Sequence, residues 1–374
     1  MSKVTDLSKL KVALVHDYLR DYGGAERVLE ALHETFPDAP VYVAFVDRRA
    51  LGMQWQNFAD WDIRESWLTE IPFYKKFFSP LRIFAPNYFA EFDFSNYDVV
   101  ISSTNAYFAK AVRVPKTALH VCYCHTPSRS LYGYTTMTDW KKNGLTNLFG
   151  TLINHYLRVV DVKIAQHVQY FVANSHETAD RIKKFYRRDS IIIYPPVEVP
   201  SVPPTDQKGE YFLYVNRLAF SKHPELAVQA CTELKLPLKV VGTGKMLARL
   251  RGIAGPTIEF LGSVDDAELH ELYAGAKALL YPVEDEDFGI VPIEAMGHGV
   301  PVIAHRSGGP KETIIENKTG IFFDDLTRAG LIAAIHKFEK QKFNRQKIYE
   351  HATQFNKKHF EEKIRQFISE KLTA

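Results

Sequence analysis

Cysteine is scarce: the 374 residues contain three, Cys122, Cys124 and Cys231, and their spacing suits neither a disulfide framework nor a CxxC metal knuckle. A reducing compartment, the cytoplasm, is therefore the expected setting. Residues 1–10 carry no apolar leader core, and no run of about 18 apolar residues offers a bilayer span. Neither export by the usual route nor a membrane crossing is expected. An excess of charge is also missing. Lys plus Arg number 47 against 44 Asp plus Glu, for a formal charge of +3, which argues against a general nucleic-acid partner. Any anion site has to be local. G-x-G-x-x-G, G-x-S-x-G and H-E-x-x-H do not occur, which speaks against a nicotinamide fingerprint, a hydrolase elbow and a zinc-protease helix.

Hydrophobic residues make up 46%, and the chain is longer than one core usually grows, so two domains are expected. Lys11–His16 is a short apolar run followed by Asp17, the Gly23-Gly24 turn and helical apolar spacing at Val28, Leu29 and Leu32. The unit reads as strand, glycine loop, helix. Similar runs recur at 41–46, 98–102, 118–122 and 170–173, and again at 211–215, 238–241, 258–261, 278–281 and 301–304. Alternating strands and helices predict parallel sheets covered on both faces. Between the two series lies the proline-rich stretch 194–204, which reads as an extended linker. The expected boundaries are 1–200 for an N-terminal Rossmann-like domain and 201–356 for a C-terminal one. A long amphipathic helix over roughly 345–372 is expected to pack back across the domains, its 357–374 part on the first. Such α/β folds bind ligands at the carboxyl ends of their strands, here in a crevice between the two halves.

Residues 284–304 carry the most chemical information. Glu286 and Glu294 stand eight apart, with a turn at Gly289 after the first and a helix-forming Pro292–Met296 run holding the second. A glycine there lets the backbone approach a ligand, and a helix start offers unpaired N–H groups to anionic oxygens. Together they suit a ligand bearing hydroxyls and phosphate. A solvated acidic loop is the plain alternative. A hard-metal site from Glu284, Asp285, Glu286 and Asp287 is a second one, opposed by the alternation of neighbouring side chains in extended backbone.

Arg217 and Lys222 follow the 211–215 strand, where a guanidinium and an ammonium can neutralise a diphosphate without a metal ion; an exposed helix-start pair is the alternative. Gly23 and Gly24 occupy the usual place for a phosphate-cradling turn, or simply a tight turn. His125 follows the 118–122 strand and belongs at a strand's carboxyl end, as does the His16-Asp17-Tyr18 triplet; a structural hydrogen-bonder is the alternative for the first and satisfied loop residues for the second. In segment 71–84 the aromatics alternate with Lys75, Lys76 and Arg82; the segment reads as a packed helix with solvated lysines or as a membrane-surface contact.

Glu286 to Glu294 resembles the E-x7-E signature of the family-4 retaining glycosyltransferases of GT-B fold. Glu-Asp-Phe-Gly-Ile at 286–290 is similar to the form in bacterial polysaccharide mannosyltransferases. The resemblance covers most of the chain through Gly23-Gly24-Ala25-Glu26, Cys124-His125-Thr126-Pro127, Ala173-Asn174-Ser175, Asn216-Arg217-Leu218 with Lys222, Gly242-Thr243-Gly244, Phe260-Leu261-Gly262, and Ser307-Gly308-Gly309 with Glu312. Asp287 departs from the glycine that many members have after the first glutamate.

The resemblance implies two Rossmann-like doubly wound domains facing a central cleft. It implies that Glu286 grips hydroxyls of the transferred sugar, that Glu294 takes the ribose, and that the backbone of Phe288, Gly289 and Ile290 lies beside the donor phosphates. Arg217 and Lys222 hold the diphosphate, Gly23 and Gly24 face it, and His125 lies near the reacting sugar. Gly262 and Val264 border the base, and His16, Asp17 and Tyr18 are candidate acceptor contacts. The implied reaction is metal-independent hexose transfer with retention and no cofactor; because no nucleophile can be assigned in the sequence, front-side displacement is the expected course. Mannose from GDP-mannose is the first expectation for the donor and a UDP-hexose the second. A glycan on a polyprenyl diphosphate carrier is the expected acceptor, reached by a cytoplasmic protein at the inner membrane face. Rival readings are a nucleotide-sugar-binding protein without turnover and an epimerase or phosphorylase of similar fold.

Overall fold

The computed structural model describes residues 9–105, 108–134, 144–204 and 209–373; the first eight residues of the segment read above for a leader lie outside them. The chain divides into two compact units, Met1–Pro196 with Lys357–Ala374, and Val197–Asn356.

The first unit is built on a seven-stranded parallel sheet. Its strands are β1 (Val12–His16), β2 (Val41–Val43), β3 (Ile63–Glu65), β4 (Val99–Thr104), β5 (Leu119–Cys124), β6 (Tyr170–Ala173) and β7 (Ser190–Ile192), in the order β3-β2-β1-β4-β5-β6-β7. Every residue of β1, β4 and β5 is buried, as central parallel strands covered on both faces require. Alternation decides which face each residue serves: Leu14 joins the core beneath the Gly24–Thr35 helix, while Ala13 and Val15 join the opposite one with Phe45, Tyr88 and Phe89.

The second unit repeats the design with six strands, β8 (Tyr211–Val215), β9 (Leu238–Val241), β10 (Ile258–Gly262), β11 (Ala276–Tyr281), β12 (Val302–His305) and β13 (Gly320–Phe323), ordered β10-β9-β8-β11-β12-β13. Each sheet therefore reverses its winding beside its first strand, between β1 and β4 and between β8 and β11. Ligands of doubly wound sheets bind at the strand carboxyl ends of such switch points.

The strands β3, β7 and β13 were not legible as strands in the sequence. β3 and β7 are three-residue edges with partly exposed side chains, too short for an alternation signal. The expected 345–372 helix is a correction. Helices Arg345–Ala352 and Lys357–Thr373 are separated by a 3-10 turn, Thr353–Phe355, and by extended Asn356. The apolar pattern runs through the break, but Val197 N–H donates to Phe355 O at 3.0 Å, diverting the backbone out of helical bonding. Beyond it, Phe360, Ile364, Phe367 and Ile368 form one buried stripe against Val28, Leu29 and Leu32. Each such side chain contributes about 1.5–3 kcal/mol by leaving water. No helix among the described residues is long and apolar enough to cross a membrane.

Candidate functional site

In the second unit the switch point gathers the charged candidates. Because β8 pairs directly with β11, the loops leaving their carboxyl ends are neighbours, and Lys222 from the first forms an ion pair with Glu286 from the second. Both side chains are about four-fifths buried (19% and 18% exposed). Tyr281, the last residue of β11, donates its hydroxyl to the same Glu286 carboxylate at 3.1 Å. Burial, then the Glu286 charge, raises the Tyr281 phenol well above its usual range, so it stays a proton donor. Tyr214 donates to Lys222 O at 2.9 Å, fixing the lysine's backbone. Arg217 is exposed on the same loop, its N–H bonded to Asn216 Oδ1 at 2.9 Å.

Glycines let these loops touch. A Cβ on Gly308 would lie 2.1 Å from Glu286 O and one on Gly309 2.2 Å from Phe288 O. Gly309 N–H donates to Glu286 O at 2.8 Å, so the loop after β12 buttresses the glutamate. Gly289 has φ of 88° and precedes the Ile290–Gly297 helix without a side-chain cap, leaving the first N–H groups of that helix to other acceptors. Phe288 is buried, its ring centroid 6.1 Å from that of Phe355.

One turn into the helix, Glu294 is buried and accepts from Tyr273 at 2.9 Å. Its carbonyl accepts from His298 Nδ1 at 2.8 Å, and His298 Nε2 faces His270 Nδ1 at 2.8 Å. Gly262 has φ of 75° and its carbonyl accepts from Gly242 N–H at 2.6 Å; half-buried Val264 precedes Asp265, the cap of the next helix. The acidic run does not converge: Asp285 takes φ of 53° and donates its N–H to Ser307 Oγ, while Glu286 turns to Lys222.

The first unit's switch point sets two imidazoles and a serine beside the buried Glu26 and Asp17 carboxylates. His16 ends β1 and pairs in register with Ser103 of β4. His16 Nδ1 lies 3.0 Å from Ser103 Oγ, and His125 Nε2 lies 2.8 Å from the same oxygen. His16 Nε2 faces Glu26 at 3.5 Å, and the other Glu26 oxygen accepts from Gly23 N–H at 2.9 Å. Gly23 caps the helix that Gly24 begins. Burial first, then nearby His16, lowers His125 to about 3, so its imidazole is neutral. The Asp17 carboxylate accepts from Thr104 Oγ1, Asn105 N and Ala109 N at 3.0, 2.8 and 2.8 Å, which holds Asn105 and Ala109 beside the end of β1. Tyr18 stacks on Phe45 at 5.4 Å.

The structure thus joins Lys222 with Glu286, and His16 with His125 and Gly23. Sequence reading does not single out Tyr273, Tyr281 or Ser103. The only signal was polar Ser102-Ser103-Thr104 ending an otherwise apolar strand.

Residues 22–199 match the model for Glycosyltransferase Family 4, and residues 198–371 match that for Glycosyl transferases group 1. A GDP-mannose-dependent alpha-mannosyltransferase of Mycolicibacterium smegmatis is 39% identical over 124 residues, 33% of this chain and 32% of that protein. An alpha-1,3/1,6-mannosyltransferase of Rhizomucor pusillus is 27% identical over 300 residues, 64% of this chain and 62% of that protein. The chain thus matches about a third of the first relative's length and under two thirds of the second's. Among solved structures, Anabaena HepE in complex with UDP-glucose superposes with a TM-score of 0.66 at 17% identity, over 96% of this chain and all of that one; at that identity the likeness concerns the GT-B fold. Two parallel sheets of matching winding, and two family models that abut at residues 198–199 and between them cover 22–371, place this chain among the GT-B glycosyltransferases of family 4.

Proposed function

We propose that the protein transfers a hexose, mannose from GDP-mannose, to a glycan acceptor, with retention of anomeric configuration and without a metal ion. The observation that carries the reading is the meeting of Lys222 and Glu286 at the β8–β11 switch point beside the uncapped helix start at Gly289. A diphosphate needs cationic and N–H donors, and a sugar needs a carboxylate that accepts from hydroxyls; here the two stand side by side. In this reading Lys222 turns from Glu286 to the diphosphate when donor binds, and Arg217 joins it. Glu286 is thereby released to the sugar, and Glu294 takes the ribose. The charge built up on the departing diphosphate is met by groups already in place, which is where the largest catalytic gain lies. The leaving phosphate takes the acceptor proton on the same face of the sugar.

The mannosyl donor is supported by the names of the two curated relatives above. Membrane association of a cytoplasmic protein, at a polyprenyl-linked acceptor, is part of the proposal. It is supported by Phe73, Phe77 and Phe84, which are 78%, 49% and 46% exposed beside exposed Lys75 and Lys76. Aromatic rings at the interface with cations toward headgroups are what an anionic surface binds.

The test is a thermal-shift panel of GDP, UDP, ADP and their sugar conjugates, followed by NMR of the product's anomeric proton. GDP-mannose should raise the midpoint most, since a ligand of the folded state stabilises it by mass action. A shift with UDP-hexoses alone would move the reading to a UDP-hexose donor. Tight binding without turnover would make the protein a nucleotide-sugar binder, and a lasting glycosyl-enzyme adduct would overturn the front-side displacement.

A further inference from the structure

The chain Glu26–His16–Ser103–His125 is buried along its length, at 8%, 2%, 0% and 8% exposure, and each link joins a different segment. Its direction is set by proton counting. Ser103 Oγ faces a ring nitrogen of each histidine, yet a hydroxyl has one proton to donate. With one proton on each ring, one imidazole therefore accepts from Ser103 and the other donates to it. Glu26 decides which. Its carboxylate only accepts and faces His16 Nε2, while its other oxygen is held by Gly23 N–H. A lone pair on Nε2 would point at that carboxylate, so the ring proton sits on Nε2. Then His16 Nδ1 accepts from Ser103 O–H, and Ser103 Oγ accepts from His125 Nε2–H. His125 Nδ1 is left with the bare lone pair.

We propose that Glu26, His16 and Ser103 are positioning residues that lock His125 in its Nε2–H tautomer, so that Nδ1 accepts a hydrogen bond from a carbohydrate hydroxyl. The clause naming that hydroxyl rests on the glycosyl-transfer reading; the tautomer does not. Orientation of an imidazole through the hydrogen bond on its far nitrogen is the general way a protein selects the nitrogen that works. The chain also links the glycine turn at Gly23 to His125, two sequence motifs with no shared chemistry until Glu26 and Ser103 are placed between them.

The experiment is a long-range nitrogen–proton NMR correlation on histidine-labelled full-length protein at pH 8, without donor, assigned with His125→Asn and His16→Asn. The expected result is a pyrrole-type Nε2 and a pyridine-type Nδ1 for His125. A protonated Nδ1, or an even mixture, overturns the proposal whatever sugar is transferred. Glu26→Gln, whose carboxamide can donate to His16 Nε2, should yield a tautomer mixture; an unchanged spectrum removes Glu26 from the mechanism. If the transferase reading holds, Ser103→Ala should lower kcat by about tenfold or more with little change in donor KM, and Ser103→Thr, which keeps the hydroxyl, should restore it. A Ser103→Ala enzyme with wild-type kcat sinks the catalytic half of the proposal and leaves the tautomer standing.

Discussion

The two sheets wind alike and place different chemistry at the same topological point, buried deeply in the first and shallowly in the second. Where β1 meets β4, the first unit holds Ser103 and two imidazoles at 0–8% exposure, joined by hydrogen bonds. Where β8 meets β11, the second holds an ammonium and a carboxylate at nearly a fifth exposure. Depth separates them. A buried site is stable when its groups satisfy one another, as three donors satisfy the Asp17 carboxylate, whereas an unpaired charge there costs several kcal/mol. At nearly a fifth exposure, a Lys–Glu pair keeps some contact with water while its two charges offset each other. The fold supplies the place; the desolvation each site imposes selects the residues that can occupy it.

Four measurements test that contrast, beginning with the largest effect. Lys222→Ala should lower kcat/KM by about 10²- to 10³-fold, the loss seen when one preorganised electrostatic donor is removed, with little change in unfolding midpoint. Activity near wild type would show that the charged point is structural. Acid should then strike the first unit preferentially. Burial lowers His125 to about 3 and His120 to about 4, whereas an unfolded imidazole titrates near about 6.5. Between those values the unfolded chain binds more protons, so stability is full above about pH 6.5 and falls as pH drops, by about 1.4 kcal/mol per pH unit for each imidazole. Hydrogen exchange at pH 7 and 5 should show β4 and β5 losing protection before β8 and β11; equal loss would erase the contrast.

Gly309→Ala comes next. The new Cβ would sit 2.2 Å from Phe288 O, the loop carrying Glu286 has to move, and a cost of about 1–3 kcal/mol is expected from urea unfolding. The smallest effect belongs to Tyr273→Phe, which removes the 2.9 Å bond to Glu294. It should cost about 0.5–1.5 kcal/mol, read as a rise of roughly tenfold or less in donor KM.

Much of the second unit's site was legible because its residues are charged, near-contiguous and set off by glycine. Glu286, Gly289 and Glu294 fall on one turn and helix, and Arg217 with Lys222 on one loop. Their pairing partners were not legible: Tyr281 and Tyr273 lie inside apolar runs, where a tyrosine looks like core until its hydroxyl is seen to reach a carboxylate. The first unit resisted reading more. His16, Ser103 and His125 are 87 and 22 residues apart in successive steps, and only parallel pairing of β1, β4 and β5 makes them neighbours.

Alternating apolar runs, glycine turns and helical spacing by themselves determined two doubly wound parallel sheets, because strand and helix periods are local properties of the chain. The motifs marked the loops proposed to carry chemistry. Tertiary structure alone decided that Lys222 neutralises Glu286, that Ser103 bridges two histidines, and that the last helical stretch breaks at Asn356. Each depends on segments distant in sequence arriving at one point, where burial and unpaired backbone groups, not local propensity, set the lowest free energy.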